Sequence, residues 1–431
     1  MRLVQVVTAD EGGGGRAAYR LHDGLCRIGA DSTLYVATKC HPDSATVVFQ
    51  PSEGRVAKFQ RYLRRTYLTA RRVSYQQIDR PWNWDSRCQH GGDPLAQLPS
   101  ADVVNLHTIS NFFDYTAYFQ QFAPRVHTVW TLHLMSPFTG GCNYSYGCKR
   151  FQQECGGCPF LHPQREHDLS RTVWQEKNEA YGAVNSSQLH LIAPSRWLAG
   201  EVRSSSLLGG FPLSVIPYGV DTQAYTPRDR KWARETLGIA QDAAVVLFVT
   251  QHSFDVKAKG FSFLIEALAG MTEFPGLHLL TLGGGGGDLE RLRVRHTHLG
   301  HVFNDRLLSL VYSAADIFAI PSLQDNLPNV VLEALACGLP AVGFDIGGLP
   351  EMIRPGQTGE LAAAGDVTSL REAMTRILGN AKLRAEMSSR CREIAVAEYG
   401  LELQAREYLK VYEHLLSKTT NAQTLVRLFP N

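Results

Sequence analysis

Short β-branched runs alternate with segments of helical period along most of the chain. "RLVQVVT" is followed by the glycine-rich "ADEGGGG" and then by "RAAYRLHDGLCRIGA", where Ala17, Leu21, Leu25 and Ile28 recur at helical spacing. This order predicts strand, turn and helix. "STLYVAT" completes the first βαβ unit, and "ADVVNLH", "HTVWTLH" and "HLIAPS" predict further strands, the first two ending in His107 and His133. "SVIPYGVDTQAYTP", punctuated by Pro and Gly, breaks the rhythm and reads as a linker.

The alternation then restarts. "AVVLFVT", "LHLLTLGGGG", "DIFAIPS" and "PAVGFD" predict strands, while "FSFLIEALAGM", "DRLLSLVYSAA" and "VTSLREAMTRIL" predict helices. Two blocks of this kind predict two Rossmann-like, doubly wound α/β domains with parallel sheets, over about 1–215 and 216–400. The last stretch, from "RCREIAVAEYG" to "YLKVYEHLL", reads as one continuous helix, and its pattern does not say which block it joins. Ligands of such sheets bind beyond the carboxyl ends of the strands. That rule puts the Gly12–Gly15 turn, His107, His133, the Gly283–Gly287 turn and Asp325 on binding faces, which two domains would turn toward a central cleft.

The bulk numbers narrow the classes. A length of 431 residues exceeds what one core usually holds. The net charge of +2 supplies no broad basic field that would call for nucleic acid. No apolar run approaches the ~20 residues of a membrane span, and the first strand-like run is too short for a signal peptide. The expected location is the cytoplasm, with a peripheral site at the inner face of the membrane as a further expectation. Five of the nine cysteines are scattered, which does not resemble a secreted disulfide framework.

The stretch "PSLQDNLPNVVLEALACGLP" holds Asp325 and Glu333 eight positions apart. With most of that interval helical, the two acids would lie on the order of 10 Å apart, too far to act on one atom. They suit the two ends of an elongated ligand such as a nucleotide-sugar, with a helix N-terminus beneath its diphosphate. The plainer alternative makes Asp325 a helix cap and Glu333 a solvated or salt-bridged helical acid. Lys257 and Lys259, on a loop between strand and helix, would meet phosphate as point charges or stand solvated.

The segment from Pro321 to Ile353 resembles the signature of retaining glycosyltransferases of family 4, which have the GT-B fold. "GGGGRAAYRLHDGL", "APSRWLAGEVRSSSLL", "VIPYGVDTQAYTP" and "KGFSFLIEAL" match in order, and "TLHLMSPFTGGCNYSYGCKRF" resembles an exopolysaccharide and colanic-acid-type subgroup. The resemblance implies transfer of a hexose-type sugar, with retention, from a nucleotide diphosphate sugar to a glycan or lipid-linked acceptor in surface-polysaccharide synthesis. It implies donor-sugar contacts from Asp325, with backbone N–H groups of Asn326 and Leu327 beside it. Glu333 would hold ribose, Lys259 with Lys257 the diphosphate, and His133 the transferred sugar. Gly13 and Gly14 would admit the ligand to the backbone, and His107, with Trp130 and Tyr144, would shape the acceptor side. The C-terminal helix, about 405–431, would cross back onto the N-terminal, acceptor-side domain. Asp325 stands where the family usually has Glu, Leu134 where it often has Asp, and Pro328 where it often has Gly. No DxD-type metal motif stands near the donor phosphates, so catalysis is expected to need no cofactor. A nucleotide-sugar epimerase or a non-catalytic donor-binding subunit are the alternatives.

Two further segments carry chemistry of their own. Cys142, Cys148, Cys155 and Cys158 follow C-x5-C-x6-C-x2-C, a spacing suited to a closed, structural zinc site, with His162 as a spare ligand. Free thiols in a loop, or two disulfides, are the alternatives. Residues 55–72 hold seven basic side chains and no acid, with Val56, Phe59, Leu63, Tyr67 and Ala70 at helical spacing. They read either as a helix docking on anionic lipid or as a domain helix with a solvated basic face.

Overall fold

The computed structural model describes residues 1–41, 45–77, 86–251, 254, 256–285 and 294–428, with side chains described except at 76–77 and beyond Ser417. The chain divides into two compact units, one of residues 1–217 and 404–431, the other of residues 218–403.

The first unit is built on β1 (Arg2–Ala9), β2 (Asp31–Thr38), β3 (Thr46–Val48), β4 (Gln76–Gln77), β5 (Val103–Leu106), β6 (His127–Thr131), β7 (Leu161–His162), β8 (Leu189–Ala193) and β9 (Leu213–Val215). Seven of these strands form a parallel sheet in the order β3-β2-β1-β5-β6-β8-β9, and β4 pairs with β7 apart from it. Leu3, Val103, Val129 and Ile192 point from one face of this sheet onto Leu21 and Leu25 and onto Ala405, Tyr408, Tyr412 and Leu415 of the terminal helix. The terminal helix therefore belongs to the core of the first unit. An aromatic cluster of Phe112, Phe113, Tyr115, Phe119, Trp130 and Tyr181 fills the other face.

The second unit contains β10 (Ala244–Thr250), β11 (Leu277–Gly283), β12 (Arg295–His298), β13 (Ile317–Ile320), β14 (Ala341–Phe344) and β15 (Gly359–Ala362). They form a parallel sheet in the order β12-β11-β10-β13-β14-β15. β12 is easy to miss in the sequence, because this edge strand is mostly exposed and its residues are polar. The α/β reading, with a Rossmann-like parallel sheet in each unit, holds.

Two local expectations are corrected. The glycine run is no loop: Gly12–Arg27 is helical from its first glycine, Gly12 making the turn out of β1 at φ 75°. Glycine takes that φ without strain, because it has no Cβ. A Cβ on Gly15 would strike the Ala9 carbonyl, so the close packing of helix on strand requires glycine at that position. The terminal stretch is two helices, Ala381–Glu398 and Leu401–Leu428, broken where Val220 bridges to Gly400 and donates to the Tyr399 carbonyl at 2.8 Å. The helix of the 321–340 segment agrees with its pattern: it covers Asn329–Ala336 with Pro328 at the N-cap, and Asp325 lies in the loop that precedes it.

Candidate active site

In the second sheet the strand order reverses between β10 and β13, and the loops leaving both strands start at the same, carboxyl, edge. This is the topological switch point, where open α/β sheets bind ligands. Leu323 N–H donates to the Ala258 carbonyl at 2.9 Å and ties the two loops together. Gly260, at φ 69°, lets them close, since a Cβ there would run into the Pro321 carbonyl. Lys259 Nζ consequently donates to Asp325 Oδ2 at 2.8 Å, with the carboxylate nearly buried and the lysine side chain 32% exposed.

Asp325 does not cap the following helix. Pro328 occupies the N-cap position and no side chain accepts there. The second carboxylate oxygen of Asp325 instead accepts from the Asn326 N–H at 3.1 Å. Its backbone carbonyl accepts from Gly348 N–H at 3.2 Å. The Asn326 N–H is thus turned toward its neighbour's carboxylate, and Leu327 is buried in the loop. Glu333 is not solvated. It is 1% exposed and accepts from the Tyr312 hydroxyl at 2.9 Å. That hydroxyl partner was not legible in the sequence, because Tyr312 lies on another helix, Asp305–Ala314. Lys257 stands on the same short turn as Lys259, while Gly286 and Gly287 of the expected glycine turn lie outside the described residues.

The first unit has its own switch point, between β1 and β5. His107 follows β5, His133 follows β6, and His133 Nε2 stands 2.9 Å from His107 Nδ1. A Cβ on Gly14 would come within 3.0 Å of Thr108 Cγ2 and 3.3 Å of the His133 ring, whereas one on Gly13 would meet nothing within 4 Å. The histidine pair continues inward: His107 Nε2 reaches Gln5 Oε1 at 3.1 Å, and Asn105 Nδ2 donates to Gln5 Oε1 at 2.9 Å and to the Tyr412 hydroxyl at 3.0 Å. Thr131 bridges Asn105 to the Tyr408 hydroxyl. Gln5 Oε1 can only accept, so His107 carries its proton on Nε2 and presents a bare Nδ1. His133 then donates from Nε2. Burial pushes His133 down to about 3 and His107 well below the ordinary imidazole range, so both rings are neutral. Trp130 is core: it is fully buried, and its indole N–H donates to the His107 carbonyl at 3.1 Å.

Cys142, Cys148, Cys155 and Cys158 line one pocket together. Among the described residues, no group of three or more His, Cys, Asp or Glu side chains is arranged to hold a metal ion. Burial raises Cys142 to about 11 and Cys155 to about 12, and Cys155 Sγ accepts from the Gly140 N–H at 3.1 Å. With no metal beside them, these buried groups are held as thiols. His162, on β7, is no fifth candidate by the same observation.

Residues 243–380 match the family model described as glycosyl transferases group 1. A D-inositol 3-phosphate glycosyltransferase of Actinosynnema mirum is 34% identical over 225 residues, which are 46% of this chain and 52% of that protein. The chain thus spans about half the length of this curated relative. Among solved structures, sucrose-phosphate synthase of Thermosynechococcus elongatus superposes with a TM-score of 0.67 at 18% identity, over 97% of this chain and all of the other. Anabaena HepE in complex with UDP-glucose superposes at 0.63 and 17% identity, over 96% of this chain and 100% of that one. These two likenesses are likenesses of fold. Residues 243–380 thus resemble the group 1 glycosyl transferases in sequence, within a chain whose two units match the GT-B fold.

Proposed function

We propose that this protein is a retaining glycosyltransferase. It moves a hexose-type sugar from a nucleotide diphosphate sugar to a glycan or lipid-linked acceptor, in surface-polysaccharide synthesis. The observation that carries this reading is the Lys259–Asp325 contact at the switch point of the second sheet, next to the helix that buries Glu333. The relative that acts as an inositol phosphate glycosyltransferase, and the neighbour that binds UDP-glucose, support the donor class.

In this mechanism the second unit holds the donor. Asp325 accepts from sugar hydroxyls and keeps Lys259 Nζ aimed at the switch point. Lys259, with Lys257 beside it, neutralises the charge that develops on the departing diphosphate as the glycosidic C–O bond lengthens. Glu333, already polarised by the Tyr312 hydroxyl, accepts from ribose hydroxyls. The acceptor hydroxyl attacks the anomeric carbon on the face the diphosphate leaves, and its proton passes to the leaving phosphate oxygen. No enzyme nucleophile takes part. In the first unit, neutral His133 with its Nε2–H held by His107 meets the transferred sugar through its remaining ring nitrogen or its carbonyl. It orients the sugar and does not act as an acid.

The test is a panel of nucleotide-sugars followed by thermal shift and free-nucleotide release, with and without a lipid extract. The reading expects one donor that stabilises the protein and is turned over, with turnover lost in Lys259→Ala and Glu333→Ala. A panel without a single stabilising donor overturns it.

A further inference from the structure

The helix Arg55–Val73 of the first unit is turned inside out relative to an ordinary domain helix. Val56, Phe59, Tyr62, Leu63, Tyr67 and Val73 are between 49% and 79% exposed, while Leu68 is the buried residue of this helix. At 3.6 residues per turn, these six share an arc of about 140°, and Leu68 lies on the opposite side. The side toward the protein is held by cations. Arg71 pairs with Glu176 at 3.1 Å, and Arg61 donates to the Ser52 carbonyl at 2.6 Å. The Arg64 guanidinium lies over Gly91, where a Cβ would collide with it. Lys58 and Arg65 are exposed along one border of the apolar arc. Phe59 and Leu63 thus stand in water while Arg61 and Arg71 of the same helix are turned to the protein, an exposed apolar face of the kind that marks an interaction site.

We propose that this face docks on an anionic lipid bilayer, a reading that goes beyond the donor-site argument and stands on separate residues. The apolar arc matches the interfacial depth of an amphipathic helix, Tyr62 and Tyr67 suit the headgroup level, and Lys58 and Arg65 reach anionic headgroups from its border. Charge decides against a second copy of the chain. Two such helices laid face to face would bring the exposed Arg55, Lys58 and Arg65 of each copy together without one acid from either helix. An anionic surface neutralises them, each cation near it contributing a comparable increment.

The experiment is flotation of the full chain with vesicles of phosphatidylcholine alone and of phosphatidylcholine mixed equally with phosphatidylglycerol, without nucleotide-sugar. The protein is expected to float with the anionic vesicles, to stay down with the neutral ones, and to be released by salt. Phe59→Ser with Leu63→Ser, and separately Lys58→Glu with Arg65→Glu, are each expected to lower partition about tenfold or more, with the circular dichroism spectrum unchanged. No flotation, or flotation untouched by both pairs, overturns the proposal. So does a dimer in light scattering, without vesicles, that the serine pair converts to monomer. Free-nucleotide release measured without vesicles reports separately on the donor reading, so either idea can fail alone.

Discussion

Lys259 Nζ and Asp325 Oδ2 meet at 2.8 Å although 66 residues separate them, because the loops after β10 and β13 leave the sheet at its switch point. The pair is partly open to solvent, so its contribution to stability is small, about 0–1 kcal/mol. Lys259→Ala is accordingly expected to leave the melting temperature nearly unchanged and to lower kcat by about 10²–10³, the usual loss for one charge-stabilising group. Steady-state kinetics beside calorimetry checks both halves. A large loss of stability with little loss of rate would make the pair structural.

Tyr312 and Glu333 form the complementary case, since both are buried. Tyr312→Phe deletes the hydroxyl that donates to Glu333 Oε2 and leaves the buried carboxylate short of one partner. The expected cost is about 1–3 kcal/mol in urea unfolding. If Glu333 holds the ribose, KM for the nucleotide-sugar rises as well, because the carboxylate is no longer fixed.

The two histidines set a pH dependence whose sign is determined. Their folded pKa values lie below the ordinary value of 6.5, with His133 at about 3. The unfolded chain therefore takes up protons that the folded one does not, and their contribution to stability is present above pH 6.5 and declines as pH falls toward 3. The slope is about 1.4 kcal/mol per pH unit for each ring. Urea melts across that range, repeated with His107→Gln, should show a shallower acid loss in the variant. In kcat, no limb near pH 6–7 should trace to His133.

Glycines 13 and 15 separate ligand contact from packing. Gly15→Ala places a methyl on the Ala9 carbonyl and is expected to unfold or displace the first helix. Gly13→Ala meets no protein atom within 4 Å, so stability should hold or rise by a few tenths of a kcal/mol. A fall in kcat/KM for Gly13→Ala at unchanged stability would assign that space to substrate, and unchanged kinetics would remove Gly13 from the site.

Tyr408 ties the terminal helix to the first sheet by packing and by its contact with Thr131. Tyr408→Ala is expected to cost about 3–5 kcal/mol, as for a large buried aromatic. Tyr408→Phe should recover most of that, since the ring supplies most of the burial.

The sequence by itself determined the two α/β blocks and the residue types of the candidate site. Strand runs, helical periods and the positions of Asp325, Glu333, Lys257 and Lys259 are local properties, written in short windows. It could not decide the zinc reading, because spacing constrains the order of thiols along the chain and not their arrangement in space. Only the tertiary structure decided what is non-local. The strand order put Lys259 against Asp325, and a second helix brought the Tyr312 hydroxyl to Glu333. The terminal helix joined the first unit because its Tyr408 and Tyr412 complete a buried hydrogen-bonded network begun by Gln5 and Asn105. The basic helix shows the same division most plainly. Its periodicity was legible, but which face met the protein depended on Leu68, Arg61 and Arg71 finding partners elsewhere in the chain.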